Sequence, residues 1–75
     1  MLITVNQKVS TPYGTGIVQG FFEVRDQKTQ ATISTGIAVR LPVNETTQPH
    51  LNDANCVTAS AKHSGVWVFQ EGELA

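Results

Sequence analysis

Residues 31 to 41 read Ala-Thr-Ile-Ser-Thr-Gly-Ile-Ala-Val-Arg-Leu, and their alternation is the clearest indication of the fold class. Apolar side chains stand at positions 31, 33, 37, 39 and 41, and polar ones at 32, 34 and 40. A period of two places the two sets on opposite faces of a strand, so one face is buried. We therefore predict a strand over residues 31 to 41, ended by Pro42, which has no backbone N–H to donate.

The segment before it predicts a partner strand. Residues 16 to 25 carry an apolar row of Val18, Phe22 and Val24, and the polar residues 26 to 30 have the length of a hairpin loop. The two strands should form an antiparallel hairpin. Phe21 breaks the alternation beside Gly20, which indicates a β-bulge or a sharp bend there.

The remaining segments predict shorter elements. Residues 2 to 9 alternate like a half-buried strand, and Thr11-Pro12-Tyr13-Gly14-Thr15-Gly16 has the composition of a tight turn. Residues 43 to 56 show no period and predict a long loop, 57 to 61 a short strand, and 65 to 70 a strand apolar on both faces. The expected fold is one all-β domain spanning 1–75, a small SH3-like barrel or open β-roll of about five antiparallel strands with almost no helix.

The composition supports this fold class. Val, Ile and Thr supply 22 of the 75 residues, and their branched side chains suit a pleated surface. We expect Ile33 and Val39 in the core. Replacing Ile33 with Ala should cost about 2–5 kcal/mol, comparable to the stability of so small a domain.

The charge balance, the lack of long apolar runs and the single cysteine each limit the possible functions. Five basic and six acidic residues give a net charge of −1 without clustering, which makes nucleic-acid binding unlikely. No run of eighteen apolar residues and no signal-peptide pattern is present in the sequence, so we expect neither a membrane span nor export. Cys56 is the only cysteine, which favours the reducing cytoplasm.

The polar loop over residues 43 to 56 contains the side chains best suited to bind a metal ion or to catalyse a reaction. His50, Asp53 and Cys56 follow one another at intervals of three, and His63 comes later. They lack the paired spacing of a zinc site, so we predict no metal, no other cofactor and no effect of chelation on stability. Cys56 and His63 could instead act as nucleophile and base with Asp53 orienting the histidine. A half-buried thiol and a turn histidine are the simpler interpretation, and we predict no catalytic residue.

Several families resemble parts of this chain. Val9, Pro12 and the run Gly14-Thr15-Gly16-Ile17-Val18-Gln19-Gly20 resemble the RNA-polymerase-interaction domain of CarD and of transcription-repair coupling factors, as do Gly65 to Phe69 with Leu74. That resemblance implies a small SH3-like or Tudor-like barrel and binding to polymerase. In size and composition the chain is also similar to orphan proteins of bacterial integron gene cassettes.

The plasmid-borne type II dihydrofolate reductases are a further SH3-like group, in which four chains build one active pore. Their strand reads Val-Gln-Ile-Tyr where this chain has Val66-Trp67-Val68-Phe69, so the ligand-binding Gln and Tyr are absent. The similarity therefore extends to architecture only.

Two classes of function remain open. The first is a non-enzymatic module that binds another protein or itself, with a candidate interface of Tyr13, Phe21, Val66, Trp67, Val68 and Phe69. For Phe22, and for Trp67 or Phe69, a place in the core is the simpler expectation. The second class is a homo-oligomer that binds a small ligand or catalyses a reaction at sites between subunits.

Overall fold

The computed structural model describes residues 3–25, 27–29, 32–58 and 62–75. Within these ranges it contains four strands, β1 (Lys8–Thr11), β2 (Gly14–Arg25), β3 (Thr32–Pro42) and β4 (Ser64–Phe69), and two single-turn 3-10 helices, Gln48–His50 and Glu71–Glu73. Each strand pairs antiparallel with its sequence neighbour, in the order β1-β2-β3-β4. The all-β class is confirmed, and the four strands form an open sheet. No helix in the described part has the length and apolar character needed to cross a bilayer.

The central strands agree with the alternation of the sequence. β2 and β3 pair as the predicted hairpin, and β3 ends at Pro42 as expected. The strand predicted over residues 2 to 9 is wrong for residues 3 to 7, because β1 begins only at Lys8, and residue 2 lies outside the described part. A turn precedes it: Asn6 has a φ of 71°, and the Gln7 N–H donates to the carbonyl of Thr4 at 3.1 Å. Of the short strand predicted at 57 to 61, residues 59 to 61 lie outside the described part.

A β-bulge divides β2 into two halves. Val18 pairs with Val39 whereas Gly20 pairs with Ala38, so Gln19 is the extra residue, and the bulge predicted beside Gly20 is confirmed. Because one residue is added, the side chains that follow exchange faces. Phe21 pairs with Ile37, and Phe22 pairs with Gly36 on the opposite face.

The core lies on one side of the sheet, which we call the inner face. Its buried apolar side chains come from all four strands and from the chain end: Val9, Val18, Ile37, Val39, Leu41, Trp67, Phe69 and Leu74. The prediction for Val39 is confirmed, and the side chain of Ile33 lies outside the described part. The prediction that Phe22 is in the core is wrong, because the bulge turns it outward and leaves it 51% exposed.

The long loop between β3 and β4 covers the inner face. Thr47 is buried, and its hydroxyl donates to the carbonyl of Pro42 at 2.6 Å and accepts the N–H of Asn44 at 2.9 Å. Leu51 and Cys56 then pack against the core. The loop is therefore held by its own polar contacts and closes one side of a thin core.

The end of the chain returns to β1. After β4 the second 3-10 helix brings Leu74 into the core. Ser10 and Ala75 then exchange two backbone hydrogen bonds, each 3.0 Å long. These bonds place the last residues beside β1, at the sheet edge opposite β4.

Candidate functional site

The side of the sheet that faces away from the core, here the outer face, carries both apolar and basic side chains. Cross-strand pairing aligns its side chains in rows: Lys8, Ile17, Arg40 and Val66 in one, Gly20, Ala38 and Val68 in the next, and Phe22 with Gly36 in the third. One end of the face therefore carries two cations, and the other carries an aromatic ring.

The aromatic end of the outer face combines a protrusion with a recess. Phe22 is 51% exposed and lies across from Gly36. A Cβ on Gly36 would meet the Val68 side chain at 2.5 Å, so Val68 leans over this glycine. A groove of about 400 Å³ passes beside Val68 and is bordered by Gly36 and Val57, the latter 56% exposed.

The structure separates the six residues of the predicted interface. Val66 and Val68 lie half-buried on the outer face, and Phe21 is 47% exposed. Trp67 and Phe69 are fully buried in the core and are not at the surface, because the alternation of β4 turns them to the inner face. Tyr13 is half-buried against the core. The apolar run of β4 thus divides evenly between core and outer face.

Phe22 and Val57 are exposed apolar residues that the sequence analysis did not place at the surface. The sequence did indicate the exposure of Phe22. If Gly20 lies at a bulge, every later side chain of the strand points to the opposite face from the one predicted by simple alternation. For Val57, the short strand predicted at 57 to 61 turns the side chain inward, and this prediction is wrong because Val57 is 56% exposed.

A polar cluster of Tyr13, His50 and Asp53 joins the first turn to the long loop. The Tyr13 hydroxyl donates to Asp53 Oδ2 at 2.8 Å, and His50 Nδ1 lies 3.0 Å from the same oxygen. The rings of Tyr13 and His50 stack with centroids 3.8 Å apart and planes 6° from parallel. Since a carboxylate only accepts, Nδ1 carries the proton in this contact. Asp53 thereby fixes both rings.

Backbone and ring contacts attach this cluster to the core. Trp67 Nε1 donates to the carbonyl of His50 at 2.8 Å, and Tyr13 meets the rings of Trp67 and Phe69 edge-on. The hydrogen bond from Tyr13, followed by that from His50, holds the pKa of Asp53 below its usual value. The same bond to Asp53, with desolvation adding to it, raises the pKa of Tyr13.

Stability should therefore fall at both extremes of pH. The carboxyl pKa of Asp53 is lowered on folding, so its contribution is present above the unfolded pKa and is lost as pH falls through the folded value, below about pH 4. The pKa of Tyr13 is raised, so its contribution is lost as pH rises above about 10. Thermal melts across pH should show both losses.

The Asp53→Asn and Tyr13→Phe variants test this assignment. Asp53→Asn should lower the melting temperature at neutral pH and reduce its further fall at acid pH. Glu45→Gln, an exposed change in the same loop, should alter neither. Tyr13→Phe keeps the ring stack and removes the hydroxyl, so the Asp53 carboxyl should titrate at higher pH by NMR. An unchanged Asp53 titration in Tyr13→Phe contradicts the proposed cause of the shift.

The four possible metal ligands are only partly brought together. His50 and Asp53 are in contact, Cys56 packs against the core, and His63 borders a groove on the outer face. Within the described ranges no group of three or more His, Cys, Asp or Glu side chains is placed to hold a metal ion. The alternative pairing of Cys56 with His63 is not formed, because the two residues lie on opposite sides of the sheet.

Comparison with known proteins gives no relative: no family model, curated protein or solved structure matches this chain.

Proposed function

We propose that this protein is a small non-enzymatic interaction module that binds a second copy of itself through the aromatic end of the outer face. The observation that carries the proposal is the position of Phe22, half exposed beside the groove at Gly36, Val57 and Val68. Exposed apolar side chains grouped in this way are typical of an interface.

The arrangement favours a second copy over a different partner because it is self-complementary. A twofold interface uses one patch twice, so the patch must carry both a protrusion and a matching recess. Phe22 is the protrusion, and the groove of about 400 Å³ is large enough for a phenyl ring. With the twofold axis near Gly36, each Phe22 enters the groove of the partner.

The expected free energy of dimer formation is modest. Burying a Phe side chain contributes about 1.5–3 kcal/mol, and the twofold axis doubles this contribution. Val57 and Val68 add apolar area around each ring. Because association itself costs several kcal/mol in lost freedom, we expect a reversible dimer rather than a permanent one.

The SH3-like architecture belongs to the same proposal. Closure of such a sheet needs a segment after β4 that crosses to β1, and the second 3-10 helix followed by the Ser10–Ala75 hydrogen bonds supports this arrangement. Leu74 seals that end of the core. The single Cys56, a half-buried free thiol, is consistent with the cytoplasm as the compartment.

Light scattering on matched variants tests the dimer. Phe21 and Phe22 are adjacent, of the same type and similarly exposed, but they lie on opposite faces of β2. Phe22→Ser should shift the wild-type dimer to monomer, and Phe21→Ser should leave it unchanged. Circular dichroism of both variants confirms that they fold.

Three results overturn the proposal: a wild-type monomer at millimolar concentration, a dimer that survives Phe22→Ser, or a dimer lost only in Phe21→Ser. A bulky change within the groove gives an independent readout. Val57→Arg places a charge where the ring of the partner should enter, and it should weaken the dimer as strongly as Phe22→Ser does.

A further inference from the structure

The basic end of the outer face contains a second groove, of about 320 Å³, beside Lys8, Arg40 and His63. We propose that it binds a small molecule with a dianionic head group and a short apolar body, of the phosphate monoester class. This site goes beyond the proposed self-association, since it takes a different ligand at a different place.

The two cations are held in one row of the sheet. Lys8 pairs with Ile17, and Ile17 pairs with Arg40, so the cations flank one apolar side chain. Neighbouring strands lie about 4.8 Å apart, which places the two Cα atoms about 10 Å from each other. At that separation both long side chains can reach an anion lying above Ile17.

In the described part of the chain, no acidic group offsets these charges. Across the described residues neither Lys8 nor Arg40 forms an ion pair, and both side chains are exposed. Two like charges on one row repel each other, whereas an anion between them is attracted to both. The groove therefore presents a positive field, and its described lining contains no carboxylate.

The other residues of the groove complete a small-ligand site. Arg40 can donate two parallel hydrogen bonds to a phosphate, and the hydroxyl of Ser64 and the ring of His63 add polar contacts. Ile17 and Pro42 supply apolar surface beside them. Apolar walls with a few converging polar groups are typical of small-molecule sites.

The charge pattern favours a dianion of limited size. Two fixed cations match two negative charges, and the net charge of −1 opposes a long polyanion. The volume of about 320 Å³ is at the lower end for ligand pockets, which suits a phosphate with one small apolar group.

The site is separate from the self-association surface. Arg40 and Gly36 are four residues apart on β3, a distance of about 13 Å along an extended strand. Binding to this groove can therefore be measured in Phe22→Ser as well as in the wild type. Loss of the dimer and loss of ligand binding are thus distinguishable failures.

The experiment is an NMR titration of the labelled protein in a phosphate-free buffer at constant ionic strength. The probes are inorganic phosphate, phenyl phosphate, phenyl sulfate, benzyl alcohol and a short single-stranded oligonucleotide. We expect saturable shifts at the amides of Lys8, Ile17, Arg40 and Ser64, with phenyl phosphate binding more tightly than inorganic phosphate. The monoanionic sulfate should bind more weakly, and the neutral alcohol should produce no saturable shift.

Charge variants supply the control. Lys8→Gln and Arg40→Gln should each weaken binding of phenyl phosphate about tenfold, since each removes a charged contact. Lys28→Gln, in the turn between β2 and β3, removes the same charge elsewhere and should leave the affinity unchanged. Saturable binding with this pattern supports the site.

Other patterns overturn it. No saturable shift for phenyl phosphate, or an equal loss of affinity in Lys28→Gln, means that the groove has no specific anion site. Tighter binding of a short single-stranded oligonucleotide than of phenyl phosphate at these residues means that the basic end contacts nucleic acid instead.

Discussion

Replacing Trp67 with Ala should leave most of the protein unfolded at room temperature. Trp67 is fully buried and packs in the centre of the inner face, between β3 and the long loop. Truncating a buried Trp costs about 3–5 kcal/mol. A core of this size supplies about 3–5 kcal/mol of stability, so little remains.

The adjacent residue provides the control for this substitution. Val66→Ala removes a half-buried side chain on the outer face of the same strand, and it should leave the fold cooperative. Trp67→Phe retains a ring but leaves the carbonyl of His50 without its 2.8 Å donor, at a cost of about 1–3 kcal/mol. Far-ultraviolet circular dichroism in a urea series measures all three. A wild-type urea midpoint in Trp67→Ala contradicts the central place of this residue.

Gly16→Ala should be the second most damaging change. A Cβ at Gly16 would lie 2.6 Å from the carbonyl oxygen of Arg40 and from Val39 Cγ1. Leu41 Cδ2 would be 2.7 Å away. The contact with a backbone oxygen cannot be relieved by rotating a side chain, so β2 and β3 must separate. Overpacking of this kind costs about 1–3 kcal/mol or more.

Gly20 is the matched control in the same strand. A Cβ there would meet nothing within 4 Å, so Gly20→Ala should change stability little or raise it by about 0.4–1 kcal/mol. Urea denaturation of the two variants side by side compares the same chemical change at two sites. Equal destabilisation by both substitutions would contradict the close approach of β2 to β3 at Gly16.

The sequence predicted those elements whose periodicity is uninterrupted. β3 followed its alternation through Ile37, Val39 and Leu41, and Pro42 ended it. The first strand was predicted too early because Ile3 and Val5 continue the alternation of Val9 although the chain turns at Asn6. A single left-handed residue breaks a strand without altering the hydrophobic pattern, so periodicity could not find it.

The candidate sites depended on contacts that the local sequence does not encode. Tyr13 and Asp53 are separated by 40 positions, and their hydrogen bond exists only because the long loop folds over the inner face. Lys8 and Arg40 become neighbours of Ile17 only through strand register. For Phe21 and Phe22 the sequence already indicated an irregularity beside Gly20. The extra residue of a bulge reverses the faces of the side chains that follow it, so the faces predicted for Phe21 and Phe22 are exchanged.

The two backbone hydrogen bonds between Ser10 and Ala75 have a consequence for biosynthesis. Each hairpin of the meander can pair as soon as its second strand leaves the ribosome, because its partner has already emerged. The contact of Ser10 with Ala75 joins residues 65 positions apart, so it forms only after all four strands have been synthesised. Until then β1 has an unpaired edge at Ser10 and lacks Leu74 against its core side. The nascent chain should therefore expose this strand edge and this side of the core until the contact is made.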